Sequence, residues 1–288
     1  MKKIIFKGVA SAVPTPFIGN SINIPVFEKF LKFQIENGVD AILVCGTTGE
    51  GSTMTKEEKF KVIKCAVDIC KGKVPVIAGT GSNNTKEAIN NSLIAESLGV
   101  DAVLVVTPYY NKTTQKGLVE HYTAISNSIN IPIIIYNVPS RTGLNILPET
   151  CFELSKLENI VAIKEASGNI SQIAKIASLC GNNLNIYSGN DDQAIPICSI
   201  GGIGVISVLS NIKPKFVHDM ILNYLNGNIL DAKNMQIEAL PLINALFSEV
   251  NPIPVKSALN KLGFDFGLPR LPLIEMTEKN KEILFKLL

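Results

Sequence analysis

The stretch Ile160-Val161-Ala162-Ile163-Lys164-Glu165-Ala166 decides how the rest of the chain is read. A run this apolar and this rich in β-branched residues reads as a strand buried on both faces, yet it carries a lysine near its end. Strand alternation puts Ala162, Lys164 and Ala166 on one face and Val161, Ile163 and Glu165 on the other. The two alanines leave room beside the amine. A lysine withdrawn from water loses its preference for the charged form and becomes a neutral nucleophile, able to form a Schiff base with a ketone. A strand-end lysine is also a common structural residue whose stem packs while its head reaches solvent. This strand alone leaves both readings open.

Seven further apolar runs bounded by turn signals lie on either side of it, at residues 9–13, 41–45, 74–78, 102–106, 131–136, 184–187 and 204–208. Helix-length segments separate them. Thr55-Lys56-Glu57-Glu58 forms a capping box, after which Phe60, Ile63, Val67 and Cys70 follow one helical face, and Asn84 with Glu87 opens the next helix in the same way. The echo Gly38-Val39-Asp40-Ala41 and Gly99-Val100-Asp101-Ala102 marks two places where a helix ends on glycine and a strand begins. Eight strands alternating with helices, without a GxGxxG after the first, predict a closed (β/α)8 barrel over residues 1–225. Beyond it only helical patterns follow, at 229–247, 254–262 and 277–288, after a last barrel helix at 213–225. They predict a C-terminal helical region, 226–288, packed on the barrel with no Pro- or Ser-rich linker.

An apolar fraction of 46% supports a large core, and a net charge of +2 without arginine-rich runs gives no footprint for nucleic acid. Lys7 interrupts the apolar N-terminus too early for a secretory segment, and no other stretch is suited to spanning a membrane. Cysteines at 45, 65, 70, 151, 180 and 198 show no CxxC spacing and read as buried thiols of a cytoplasmic protein. His121 and His218 lack a second ligand at metal spacing, so no metal site is expected.

Barrels of this kind carry their active sites at the carboxyl ends of the strands. There the sequence gathers Gly46-Thr47-Thr48-Gly49-Glu50-Gly51-Ser52 after the second strand and Tyr109-Tyr110-Asn111-Lys112 after the fourth. Tyr136-Asn137-Val138-Pro139-Ser140-Arg141-Thr142-Gly143 follows the fifth, and Ser188-Gly189-Asn190-Asp191-Asp192 the seventh. The threonine turn can offer backbone N–H groups and two hydroxyls to a carboxylate, or be an ordinary glycine turn. Tyr110 and Tyr136 can pass protons, or be core aromatics with a wet tip. Arg141 offers a bidentate clamp for a second carboxylate, or a surface ion pair.

Gly46-Thr47-Thr48-Gly49-Glu50, Tyr109-Tyr110-Asn111-Lys112, Tyr136 through Gly143, and Ile163-Lys164-Glu165-Ala166, standing in that order, resemble the dihydrodipicolinate synthase family of the pyruvate-dependent class I aldolase superfamily. The likeness extends from about Gly8 to Leu271. It implies a cytoplasmic lyase that condenses pyruvate with L-aspartate 4-semialdehyde on the route to diaminopimelate and lysine. No cofactor is implied beyond the imine on Lys164. Thr47 and Thr48 would hold the pyruvate carboxylate, and Tyr136, Thr48 and Tyr110 would form a hydroxyl relay, with Tyr110 lent by a neighbouring subunit. Carbonyls at Gly189 and Ile206 would position the lysine, Arg141 would receive the semialdehyde carboxylate, and a homotetramer built from tight dimers would be the assembly.

Lysine inhibits some members of that family at the same interface. The matching positions here are Gly51, Ser52, Lys56, Lys59, Asn83, Glu87 and Tyr109. Two cations, Lys56 and Lys59, would repel a cationic ligand, with Lys56 the main departure, so insensitivity to lysine is expected. The nearest alternative, N-acetylneuraminate lyase, matches less well at Thr47, where it favours serine, and at Ser140-Arg141-Thr142-Gly143, where it lacks the arginine. A non-catalytic barrel that senses a keto acid would be expected to have lost Lys164 or the tyrosines.

Overall fold

The computed structural model describes residues 2–288. Eight parallel strands close into a barrel: β1 (Gly8–Ala12), β2 (Ala41–Val44), β3 (Val76–Gly79), β4 (Ala102–Val106), β5 (Ile133–Asn137), β6 (Ile160–Glu165), β7 (Asn185–Ser188) and β8 (Gly204–Ser207). Each pairs with its sequence neighbours, and β1 closes the ring against β8 through Gly8 to Ser11 opposite Gly204 to Ser207. The expected fold is therefore the observed one, with helices between the strands and further helices Ile229–Leu246, Ile253–Lys261 and Glu278–Phe285 after the last barrel helix, Pro214–Leu225.

The Gly-Val-Asp-Ala echo has a specific role in this ring. Gly38 and Gly99 end their helices at φ of +84° and +86°, a left-handed conformation that costs a glycine least. The aspartate two residues on then reaches the preceding strand: Asp40 Oδ2 accepts from the Val9 N–H and Asp101 Oδ2 from the Val76 N–H, both at 2.8 Å. Each copy satisfies a strand-start donor that has no ladder partner, which fixes where β1 meets β2 and where β3 meets β4.

Two details depart from expectation. Ile133 of β5 faces Ile160, but Ile134 faces Ala162, so Val161 is skipped in the register. Val161 consequently joins Ala162 in the interior cluster instead of sharing the outer face with Ile163, and simple alternation resumes only from Ala162. In helix Lys56–Cys70 the capping box forms with both hydrogen bonds, yet the buried residues are Val62, Ile63, Ala66 and Cys70, while Phe60 is exposed. Ile63 and Cys70 lie in the middle of the apolar stripe with Phe60 on one side and Val62 on the other, and packing against the strands buried the Val62 side. The six thiols are free, and all but Cys65 are buried.

The C-terminal helices share the barrel's outer core, with Ala232, Leu242, Leu259 and Phe266 in one cluster with Phe27, Phe30 and Val62. A polar clasp adds to this. Lys256 Nζ meets Glu50 Oε1 at 2.9 Å with both side chains 1% exposed, and the other oxygen of Glu50 accepts from the Arg270 N–H at 2.8 Å. Arg270 in turn grips Glu58 with both guanidinium nitrogens and lies over the Phe17 ring. Glu50 belongs to the threonine turn, so the clasp ties that turn to the C-terminal region. Lys256→Ala is expected to cost about 3–5 kcal/mol by stranding a buried carboxylate, whereas Glu50→Gln combined with Lys256→Met costs far less. Urea denaturation reads this directly; an unchanged midpoint in Lys256→Ala would show that the pair holds nothing together.

Candidate active site

Lys164 lies one residue from the carboxyl end of β6, level with Tyr136 on β5 and Tyr187 on β7. In-register neighbours of a parallel ladder point the same way, so the three side chains project into the barrel together. Lys164 is 7% exposed, and its Nζ sits 4.4 Å from the centroid of the Tyr136 ring. Ala162 and Ala166 share its interior cluster. Gly189 is required for the same reason, since a Cβ there would come within 2.7 Å of the Ala166 methyl and 3.1 Å of Lys164 Cε. Burial lowers the amine's pKa from 10.5 to about 8; the negative charge of Asp191 works against that drop and the positive charge of Arg141 with it. Burial also pushes the Tyr136 phenol up, with Arg141 and the Thr47 hydroxyl acting the other way. Glu165, on the opposite face, is buried and bonded to Asn137 and Ser167, away from the amine.

Across the cavity, the turn after β2 is closed by the Glu50 N–H to Thr47 carbonyl and Gly51 N–H to Gly46 carbonyl bonds, and Thr15 clamps the Gly49 carbonyl at 2.7 Å. Among the described residues the backbone N–H groups of Thr47 and Thr48 donate to no protein acceptor, and both residues line the cavity. Two free donors with two hydroxyls are the kind of groups that can receive an anion. The short helix Pro139–Thr142, stopped by Gly143 in the left-handed conformation, carries Arg141, whose Nη2 donates to the Asn251 carbonyl at 3.4 Å. Lys164, Tyr136, Thr47, Thr48, Arg141 and Gly189 thus surround one cavity of about 520 Å³.

Other expected residues stand elsewhere. The Ile206 side chain is packed inside the barrel and does not border the cavity. Tyr110 is 92% exposed at φ of +67° and does not line its own chain's cavity, while Tyr109 borders it. Gly51, Ser52, Lys59, Asn83 and Glu87 extend the same cavity outward, but Lys56 is exposed beyond its wall. Lys59 is therefore the nearer cation.

Two residues without an assigned role complete the site. Asp191 is buried; one carboxylate oxygen accepts from the Val208 and Leu209 N–H groups at 2.9 and 3.0 Å, and the other has no protein partner among the described residues. Its place in a polar run after the seventh strand was the signal. Asn251 has its Nδ2 2.9 Å from Thr48 Oγ1. Its only local signal is the following Pro252-Ile253-Pro254, which marks a helix start and says nothing of a partner 203 residues earlier.

Fold and site together define a class: (β/α)8 barrels that present a desolvated lysine amine and an anion-binding turn on one rim. A family model described as the dihydrodipicolinate synthetase family matches residues 5–288, and the chain belongs to that family. It is 59% identical to 4-hydroxy-tetrahydrodipicolinate synthase 1 of Clostridium acetobutylicum over 96% of this chain and 94% of that one. Its fold matches dihydrodipicolinate synthase of Cyanidioschyzon merolae crystallised with lysine bound, at a TM-score of 0.96 and 40% identity, covering 99% and 98% of the two chains. A monomeric dihydrodipicolinate synthase variant matches at a TM-score of 0.97 and 43% identity, covering 98% and 96%.

Proposed function

We propose that this chain condenses pyruvate with L-aspartate 4-semialdehyde to 4-hydroxy-tetrahydrodipicolinate, through an imine on Lys164 and without a cofactor. The observation that carries this reading is the placing of a buried, partly neutral amine beside Tyr136 and across one cavity from the free N–H groups of Thr47 and Thr48. Pyruvate's carboxylate rests on that turn and its ketone meets Lys164 Nζ. Attack forms a carbinolamine, which loses water to give the imine; a proton then leaves the methyl carbon and the resulting enamine attacks the aldehyde, whose oxygen takes up a proton. Arg141 holds the carboxylate of the second substrate. The product is cyclic, so the amine of the semialdehyde portion next adds to the imine carbon and expels Lys164 as the free amine. Every step moves a proton, and the Tyr136 phenol and Thr48 hydroxyl are the groups at hand to carry them. Gly189 and Ile206 serve through their backbone carbonyls in this reading.

Tyr110, turned outward, completes the relay of a neighbouring subunit in a cytoplasmic homotetramer of tight dimers. The test is the rate with pyruvate plus aspartate semialdehyde, measured beside pyruvate plus N-acetylmannosamine. The first pair is expected to turn over and the second not; the reverse result assigns the chain to the neuraminate lyases.

Free lysine at low millimolar concentration is expected to leave the rate essentially unchanged. Lysine in the outer cavity would meet Glu87, which Ser82 holds at 3.2 Å, but also the Lys59 ammonium. Two like charges about 4 Å apart repel by about 1 kcal/mol in water and about 4 kcal/mol at an intermediate dielectric. Inhibition that emerges on Lys59→Ala or Lys56→His would locate the responsible charge. Strong inhibition of the unaltered enzyme would end the expectation of insensitivity and leave the condensation reading standing.

A further inference from the structure

We propose that Asn251, from the segment joining helices Ile229–Leu246 and Ile253–Lys261, is a positioning residue that sets the direction in which Thr48 passes its proton. The inference rests on the reading of Thr48 as a relay hydroxyl. A threonine hydroxyl has one O–H to donate and lone pairs to accept with. Asn251 Nδ2 donates to the Thr48 oxygen at 2.9 Å, so the hydroxyl's own proton is turned away from Asn251. Among the described residues it has no protein acceptor, and Thr48, Tyr136 and Lys164 line the same cavity. The proton is thereby left to the cavity, which Tyr136 and Lys164 also line.

Burial makes this orientation hard to lose. Asn251 is 6% exposed, Thr48 is 4% exposed, and the amide oxygen of Asn251 is enclosed without a protein partner. Low exposure of both partners limits competition from water for the bond. The main chain of the same residue acts separately: its carbonyl accepts from Arg141, so a side-chain substitution removes the hold on Thr48 and keeps the contact to the guanidinium.

The experiment compares the unaltered enzyme with Asn251→Ala and Asn251→Asp in steady-state kinetics over pH, together with borohydride trapping of pyruvate. Asn251→Ala is expected to lower kcat about tenfold, with the KM for each substrate within about twofold, because one oriented hydrogen bond is lost. Asn251→Asp supplies an acceptor in place of a donor, draws the Thr48 proton backward, and is expected to lower kcat about 100-fold at pH 8. Its rate relative to the unaltered enzyme should recover below about pH 6, where a buried carboxyl regains its proton and can donate. Full activity of Asn251→Asp would overturn the inference, since Thr48 would then be donating to this side chain. So would an Asn251→Ala enzyme whose loss lies in KM alone, and that variant decides the matter should Asn251→Asp not fold. Absence of a borohydride adduct on Lys164 in the unaltered enzyme would instead remove the imine reading itself. A normal adduct in all three proteins confines any failure to the role of Asn251.

Discussion

Lys164→Arg is expected to retain less than about one part in 10³ of the condensation rate, the scale of loss when a covalent nucleophile is removed. Guanidinium stays protonated at any useful pH and cannot attack a ketone. The native amine can, because burial has brought its pKa from 10.5 to about 8. That change raises the neutral fraction at pH 7 from about 0.03% to about 9%, roughly 300-fold. The sign follows: kcat/KM for pyruvate, which reports the free enzyme, should climb with pH through 7 and level off above about 8. An enzyme using a lysine with an ordinary pKa would still be climbing at pH 9. Pyruvate with borohydride should inactivate the native enzyme and leave a stable secondary amine at Lys164, located by peptide mass. An adduct on another lysine, or unimpaired turnover of Lys164→Arg, would remove this chemistry from the site.

The second large effect is expected at Tyr110. Its side chain is exposed and does not line its own chain's cavity, so in the proposed relay it acts in a neighbour's cavity. Tyr110→Phe keeps the ring and removes the proton carrier, which is expected to cost about 10²-fold or more in kcat. Mixing Tyr110→Phe subunits with Lys164→Ala subunits then gives an unusual outcome, the recovery of activity from two inactive proteins. Half of randomly paired dimers are mixed, and each mixed dimer holds one complete site, so about a quarter of the native rate should return. Proven subunit exchange without recovery would place Tyr110 outside the relay.

These expectations draw unequally on what local sequence can express. The eight strands were legible because each is a short apolar run between turn residues, a pattern that barrel burial on both faces imposes at every repeat. Lys164 stood out because a cation in such a run contradicts its surroundings, and the threonine turn and Arg141 because they end strands whose direction the barrel dictates. Alternation failed at Val161, where the register of β5 against β6 slips by one residue; that slip belongs to a pairing of two strands and is written in neither alone. Phe60 of helix Lys56–Cys70 is exposed for a related reason: the strands the helix packs on choose which side of its apolar stripe is buried.

What sequence periodicity could not supply is contact at long range. Glu50 reads as one more polar residue of a turn until Lys256 meets it from 206 positions away, and the cost of burying both charges makes that meeting specific. Asn251 gains its link to Thr48 only when the C-terminal helices close over the rim. The direction of Tyr110 is likewise a property of the folded loop, at a left-handed φ that few side chains favour. Residue type and spacing supplied the chemistry available to this protein. The packing of distant segments decided how far the amine is desolvated, which carboxylate's charge reaches it, and which hydroxyl accepts from Asn251.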